Sequence, residues 1–279
     1  MNVAAGVLLL LMGGPHGPAG VEWGHDFDKA LARARAEQKP LIVDFWADWC
    51  GWCHRLDQTT YVDPEVVEIS KRFVAVKVDT EGSKAGAAVA YRYDVMTLPT
   101  IIFLSSSGRP LLRVGGYQGP GQFPRTMEQA LTIAQQVEKW ERRLRRDRSD
   151  SEALVGLGVH LYEQEAFDES RELLLRAREA DAGHPLVDRK QVRLVLGVEE
   201  YYEGNLAESA SVLEEALALG QHDQYDPRIL YVLGRTYQKL GKKRKAIKAL
   251  RTILDRYSAS PVAEKAWESL VRLEGHRRP

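Results

Sequence analysis

The chain has 279 residues, 44 % of them hydrophobic and 28 % charged, and its 39 basic and 39 acidic side chains cancel to a formal net charge of zero. That length suits about two domains, and a balanced charge offers no basic surplus of the kind that grips nucleic acid, so no nucleic-acid partner is expected. Two cysteines exclude a disulfide-built scaffold and a zinc site made of cysteine alone, and no metal site is expected.

The first segment, 1-MNVAAGVLLLLMGGPHGPAG-20, differs from the rest. Val3–Met12 is an apolar run too short to span a bilayer. It matches the apolar region of a secretory signal, and Gly17-Pro18-Ala19 places small residues for cleavage after Ala19. The basic residues that normally precede such a run are missing. Residues 1–20 are expected to be a signal peptide; the alternative is a disordered or wrongly started N-terminus. The first reading makes the protein periplasmic or otherwise exported, with no integral membrane segment after signal removal. The second makes it cytoplasmic.

Phe27, Ala30, Leu31 and Ala34 recur at helical spacing, with Asp26 as N-cap and Lys39-Pro40 as terminator. Leu41–Ala47 is apolar and partly β-branched, as in a buried strand. A helical segment follows from Cys50. Asp63-Pro64, a cap with proline in the first turn, opens a short helix over Glu65–Arg72. Phe73–Asp79 predicts a second strand, Lys84–Tyr93 a short helix and Thr100–Leu104 a third strand. The turn Ser105–Gly108 and the strand Pro110–Val114 complete a hairpin. From about Phe123 the pattern is helical to the end. The basic runs 142-RRLRRDR-148 and 242-KKRK-245 read as solvated helix faces.

Both cysteines lie in 41-LIVDFWADWCGWCHRL-56. Cys50 and Cys53 make C-x-x-C, a redox pair; with His54 they also make C-x-x-C-H, the attachment pattern of a c-type haem. A thiolate is a good nucleophile, and a helix N-terminus lowers thiol pKa through its free N–H groups and dipole. The pattern puts Cys50 at such a terminus, as an exposed nucleophile, and Cys53 one turn on, as the shielded group that resolves a mixed disulfide. Asp44 sits inside the apolar strand, where a charge is costly unless paired or protonated. A buried carboxyl of raised pKa there could take the proton of Cys53 as it attacks; the alternative is an acid at a strand end facing water. The haem reading fits poorly. The motif lies within a complete α/β pattern, and a cytochrome needs a second axial ligand. His54 is expected at the surface, and no cofactor is expected.

The segment 43-VDFWADWCGWCH-54 resembles the active-site segment of thioredoxin at Asp44, Phe45, Trp46, Ala47, Trp49, Cys50, Gly51 and Cys53. Pro99 in 97-TLPTIIFL-104 matches the family's cis-proline, and Gly115-Gly116 its late glycine pair. The resemblance covers about Val21–Val137. The stretches 27-FDKALARARAEQKPLIVDF-45 and 59-TTYVDPEVVEISKRFVAVKVD-79 are similar to the exported thioredoxin-like domains close to the C-terminal domain of the DsbD electron transporter. It implies the α/β thioredoxin fold, a βαβαββα core with a cis Leu98–Pro99 bond. It also implies catalysis by Cys50, Cys53 and Asp44 through a redox-active Cys50–Cys53 disulfide. Substrate would lie against Trp49, Gly51, Trp52, Thr97, Leu98 and Pro99. The chain departs from thioredoxin at Trp52, where thioredoxin has proline. Residues between the cysteines tune the redox potential, so thioredoxin's reducing strength does not carry over directly.

Three windows in the second half align: 157-LGVHLYEQEAFDESRELLLRA-177, 196-LGVEEYYEGNLAESASVLEEA-216 and 233-LGRTYQKLGKKRKAIKALRTI-253. Their Leu-Gly starts are spaced by 39 and 37 residues. Each has an aromatic near the end of its first helix (Tyr162, Tyr201, Tyr237), a small residue in its second (Ser170, Ser209, Ala246) and a leucine four positions later (Leu174, Leu213, Leu250). This resembles the tetratricopeptide repeat, an all-α helix–turn–helix unit of about 34 residues. About three repeats are expected over Ser151–Leu273, with Pro261–Leu273 as capping helix. The layout expected is residues 21–146 for the thioredoxin-like domain and 151–279 for a repeat solenoid. The joint, 137-VEKWERRLRRDRSD-150, has no Gly or Pro, so the preceding helix is expected to run on and stop at Asp147–Asp150, with Ser149 or Asp150 capping the next.

Together these features predict a thiol–disulfide oxidoreductase, a reductase or isomerase of exported protein disulfides. Its partners would be protein disulfide substrates, an upstream dithiol electron donor and a protein held in a concave groove of a right-handed repeat stack. The alternative is a non-catalytic repeat adaptor with a redox-sensing domain.

Overall fold

The structure, a computed structural model, describes residues 20–180, 185–220 and 223–275. Residues 1–19 of the expected signal segment lie outside the described residues. The chain divides into two compact units that part between Gln135 and Gln136.

In the first unit, helix α1 (Phe27–Glu37) starts where the Asp26 carboxylate accepts the Lys29 N–H at 3.0 Å, a side-chain cap for an otherwise unpaired donor. Strand β1 (Leu41–Trp46), helices α2 (Gly51–Thr59) and α3 (Pro64–Ser70), strand β2 (Val74–Asp79) and helix α4 (Lys84–Arg92) follow. The Asp63 cap and Pro64 open α3 as the sequence predicts. Strands β3 (Thr100–Leu104) and β4 (Pro110–Gly115) form the hairpin, and α5 (Phe123–Arg146) follows, with its residues 123–135 in this unit. The sheet order is β2-β1-β3-β4. β1 runs parallel to β2 and antiparallel to β3. Ahead of α1, Gly24 extends the sheet edge beside β2, donating to the Ala75 carbonyl and accepting from Lys77 N–H, each at 2.9 Å.

β1 is central and covered on both faces, which is why it reads as an unbroken apolar run. Leu41, Val43 and Phe45 pack with Phe27, Ala34, Val76 and Ile102 in one core. On the other side Phe103, Phe123 and Tyr61 form a chain of ring contacts at 6.1 and 5.9 Å, seating the start of α5. Asp44 is the polar exception within the strand.

The second unit pairs α6 (Ser151–Glu163) with α7 (Phe167–Glu179), α8 (Leu186–Glu203) with α9 (Leu206–Ala218), and α10 (Asp226–Lys239) with α11 (Lys243–Arg256). Helix α12 (Ala263–Glu274) closes the array, burying Ala266 and Leu270 against Leu250 and Ile253. α5 runs unbroken to Arg146, and Asp150 caps α6, accepting from Ala153 N–H at 3.1 Å while Arg143 grips the same carboxylate at 2.7 and 2.9 Å. The repeated small residues permit close helix contact. A Cβ on Gly158, Gly197 or Gly234 would lie 2.7, 2.6 or 2.9 Å from the facing Leu174, Leu213 or Leu250. Ser170 and Ser209 each donate a hydroxyl bond at 2.8 Å to the carbonyl of Gly158 or Gly197 across the pair; Ala246 has no hydroxyl for the third. The intra-repeat turns need a left-handed residue. Gly204 (φ 86°) and Gly241 (φ 71°) supply it in two copies, and Glu165 (φ 64°) must in the first. Among the described residues no helix is long and apolar enough to cross a membrane.

Candidate active site

β1 ends at Trp46, a short turn follows, and Cys50 is the N-cap of α2. Cys50 and Cys53 are joined in a disulfide. The Cys53 N–H points at Cys50 Sγ at 3.2 Å, and the Cys53 and His54 N–H groups both reach the Cys50 carbonyl, at 3.0 and 3.2 Å. This is the arrangement that stabilises a thiolate on the first cysteine once the disulfide opens. Cys50 is 3 % exposed and Cys53 0 %. Both residues are buried, so the expected contrast of an exposed Cys50 and a shielded Cys53 is not present in this disulfide-bonded state.

The cover is local. Trp49 and Trp52 flank Cys50 and stand 67 % and 63 % exposed. The Trp49 indole N–H donates to Glu81 at 2.9 Å. Trp52 packs on Tyr117 at 5.5 Å between ring centroids, and the Tyr117 hydroxyl meets Thr59 at 3.1 Å, a bond that lowers the phenol's pKa. An added Cβ on Gly51 would meet nothing within 4 Å, so the space beside it is open. The Leu98–Pro99 bond is cis, as the resemblance implies. Pro99 is buried, Thr97 exposed and Leu98 half-buried. The Pro99 carbonyl accepts from Gly116 N–H at 2.8 Å, and the Thr97 carbonyl from the Thr100 hydroxyl at 2.7 Å. His54 is at the surface, where its Nε2 must donate to the Asp48 carbonyl at 2.8 Å, since a carbonyl only accepts.

Asp44 is fully buried. The register sets it opposite Lys77 of β2, and its Oδ2 lies 3.3 Å from Lys77 Nζ. Neither carboxylate oxygen has a well-formed hydrogen bond among the described residues. Burial raises its pKa from 3.8 to about 6, against the opposing pull of the lysine. Lys77 also bonds Asp57, which lies on α2 four residues beyond Cys53. Its ammonium sits over the rings of Trp23, Trp46 and Tyr61 at 5.7, 5.5 and 5.5 Å, so aromatic faces replace much of its lost water. The Tyr61 hydroxyl is buried too, its pKa pushed well above 10 by burial and then by the charges of Asp44 and Asp57.

The thioredoxin-like domain family matches residues 27–131, and the tetratricopeptide repeat family matches residues 137–185, 194–261 and 231–274. This chain carries a thioredoxin-like domain followed by tetratricopeptide repeats. The thioredoxin-like domain is similar to part of the thiol:disulfide interchange protein DsbD. The identity is 38 % over 101 residues with that of Cronobacter sakazakii and 32 % over 101 residues with that of Pseudoalteromonas atlantica. Each match covers 35 % of this chain and 17 % of the relative, so the chain spans a minor share of those proteins. Among solved structures, the oxidised C-terminal domain of DsbD from Neisseria meningitidis is 26 % identical, covers 39 % of this chain and 99 % of its own, and gives a TM-score of 0.35.

The structure brings Cys50, Cys53, Trp49, Gly51 and Trp52 together at the start of α2 and places Asp44 in the strand before it. Sequence reasoning missed Lys77, Asp57, Tyr61 and Trp23. One signal was present: Lys77 is the charged residue within the apolar alternation of 73-FVAVKVD-79, as Asp44 is within its own strand.

Proposed function

We propose that the chain is a thiol–disulfide oxidoreductase, a reductase or isomerase of exported protein disulfides, whose helical repeats hold a partner protein. The observation that carries this reading is a cysteine pair at a helix N-cap preceded, on the same strand–turn–helix, by a fully buried carboxyl of raised pKa. In the reducing direction the Cys50 thiolate attacks one sulfur of a substrate disulfide. That S–S bond breaks, the departing sulfur takes a proton, and a mixed disulfide on Cys50 remains. Cys53 gives its proton to the Asp44 carboxylate and attacks the Cys50 sulfur. The second substrate thiolate leaves, and two electrons have passed from the cysteine pair to the substrate. An upstream dithiol restores the pair. Lys77 keeps Asp44 ionisable near neutral pH, and without that countercharge burial would hold the carboxyl protonated. The backbone of Thr97 and Leu98 beside the cis-proline would pair with an extended substrate strand, with Trp49 and Trp52 as its apolar walls.

Insulin reduction by dithiothreitol tests the reading on the full chain. Faster turnover than dithiothreitol alone is expected, and none on Cys50→Ser. No acceleration by the intact protein would leave the adaptor with a redox-sensing domain. The reduction potential of the pair then sets the direction: near about −270 mV it is a reductase, near about −120 mV an oxidant.

A further inference from the structure

In the second unit, a cleft of 510 Å³ opens where the α6–α7 turn meets the end of α8. Its walls are the rings of Tyr162, Phe167 and Tyr202, the first two in edge contact at 5.6 Å between centroids. Its polar groups are the carboxylates of Asp168, Glu199 and Glu203 and the guanidinium of Arg171. Arg171 is already engaged: it bonds Glu200 and lies 3.5 Å from one oxygen of Glu199. Glu199 is 7 % exposed, and its other oxygen, Oε1, has no hydrogen-bond partner among the described residues. A buried carboxylate oxygen without a donor is expensive to leave so. Burial accordingly raises the Glu199 pKa from 4.5 to about 7, Arg171 opposing and Glu203 and Glu200 adding to the rise. The cleft therefore combines three aromatic rings and excess negative charge, and its wall holds a carboxylate with one buried oxygen that lacks a donor.

The next repeat junction supplies an internal control. Counting from the Leu-Gly starts, the equivalents of Tyr162, Phe167, Asp168 and Arg171 are Tyr201, Leu206, Ala207 and Ala210. Those of Glu199, Tyr202 and Glu203 are Thr236, Lys239 and Leu240. No acid remains there, and Thr236 pairs with Ser209 at 3.2 Å. Lys239 lays its ammonium 4.0 Å from the centre of the Tyr201 ring. At the second junction the chain puts its own cation on the tyrosine. At the first it keeps the tyrosine, adds carboxylates and has no lysine at that position.

We propose that the cleft formed by Tyr162, Phe167, Tyr202 and Glu199 binds a single lysine or arginine side chain of a partner protein. An ammonium or guanidinium against these rings gains cation–π attraction and the attraction of the Glu199 and Glu203 carboxylates. The surface beyond Tyr202 decides which residues can flank that side chain. Tyr202 is also a wall of an adjoining groove that carries Arg228, Arg235 and Lys265. A polyamine or polybasic segment would be repelled there, whereas an isolated basic residue among acidic or neutral neighbours fits both surfaces. The proposal rests on the reading that the repeats hold a protein partner.

The test uses the full chain and a short peptide with a single lysine flanked by glutamates. The same peptide with norleucine for lysine, and spermidine, serve as comparisons. Binding is followed at the ring resonances of Tyr162 and Tyr202. The lysine peptide should saturate in the millimolar range, with norleucine weakening it about tenfold. Glu199→Gln should weaken it similarly, and so should Tyr202→Ala, whose side chain is 80 % exposed. Equal binding of the norleucine peptide, tighter binding of spermidine, or no saturation would each overturn the proposal. Insulin reduction in the same samples reports on Cys50 and Cys53, so loss of the cation site and loss of the oxidoreductase reading are told apart.

Discussion

Asp44→Asn separates what the buried carboxyl does for chemistry from what it costs in stability. In the unfolded chain Asp44 has a pKa of 3.8, and in the fold it is held at about 6. At pH 7 the folded chain must therefore ionise a group that resists ionisation, and the difference amounts to roughly 3 kcal/mol. The folded state binds the extra proton between about pH 4 and 6, so stability falls as pH rises through that window and is flat above it. Asparagine has the shape of the neutral acid and does not titrate. The variant should therefore be more stable by roughly 3 kcal/mol at pH 7, which slows exchange of the Val43 and Phe45 amides roughly a hundredfold, and should gain little near pH 4. The same change removes the acceptor for the Cys53 proton, so resolution of a mixed disulfide should slow by about a hundredfold at neutral pH. Hydrogen exchange of β1 and single-turnover release from a mixed disulfide read the two effects separately. An equal gain at both pH values, or no gain at pH 7, would refute the raised pKa. An unchanged resolution rate would leave Asp44 as a structural acid.

Cys53→Ser should accumulate mixed disulfides with substrates and Cys50→Ser none; equal trapping by both, on non-reducing gels, would reverse or void their assigned roles. Lys77→Met removes the cation 3.3 Å from Asp44, so the midpoint of the pH–resolution profile should move upward from about 6, and a fixed midpoint would remove Lys77 from the mechanism. Gly197→Ala forces a Cβ to within 2.6 Å of Leu213 and should lower repeat stability by about 1–3 kcal/mol in denaturant titrations of the full chain. Glu165→Gly should instead raise it by about 1 kcal/mol, because a side chain at φ 64° is strained where glycine is not; a loss would mean that the glutamate's own contacts outweigh that strain.

The sequence alone was enough to place the elements of both units and the cysteine pair. The reason is that these signals are short-range. The Asp26 and Asp63 caps, the apolar run of Leu41–Trp46 and the Leu-Gly repeat starts each act within one or two turns or a single strand. The burial of Asp44 was legible for the same reason, from its immediate neighbours. What the charge does there was not, because Lys77 lies 33 positions away and meets Asp44 through the register of two parallel strands. Asp57, Trp23 and Tyr61 surround Lys77 only once α2 and the lead-in pack against β2. The burial of Cys50 was likewise not legible from its place at the helix N-cap. The acid-lined cleft of the first repeat junction draws Tyr162 and Phe167 from one repeat and Glu199 and Tyr202 from the next. Local periodicity sets which face of each helix is buried, but only the stacking of helices decides which side chains share a cavity and which carboxylate oxygen is left without a donor.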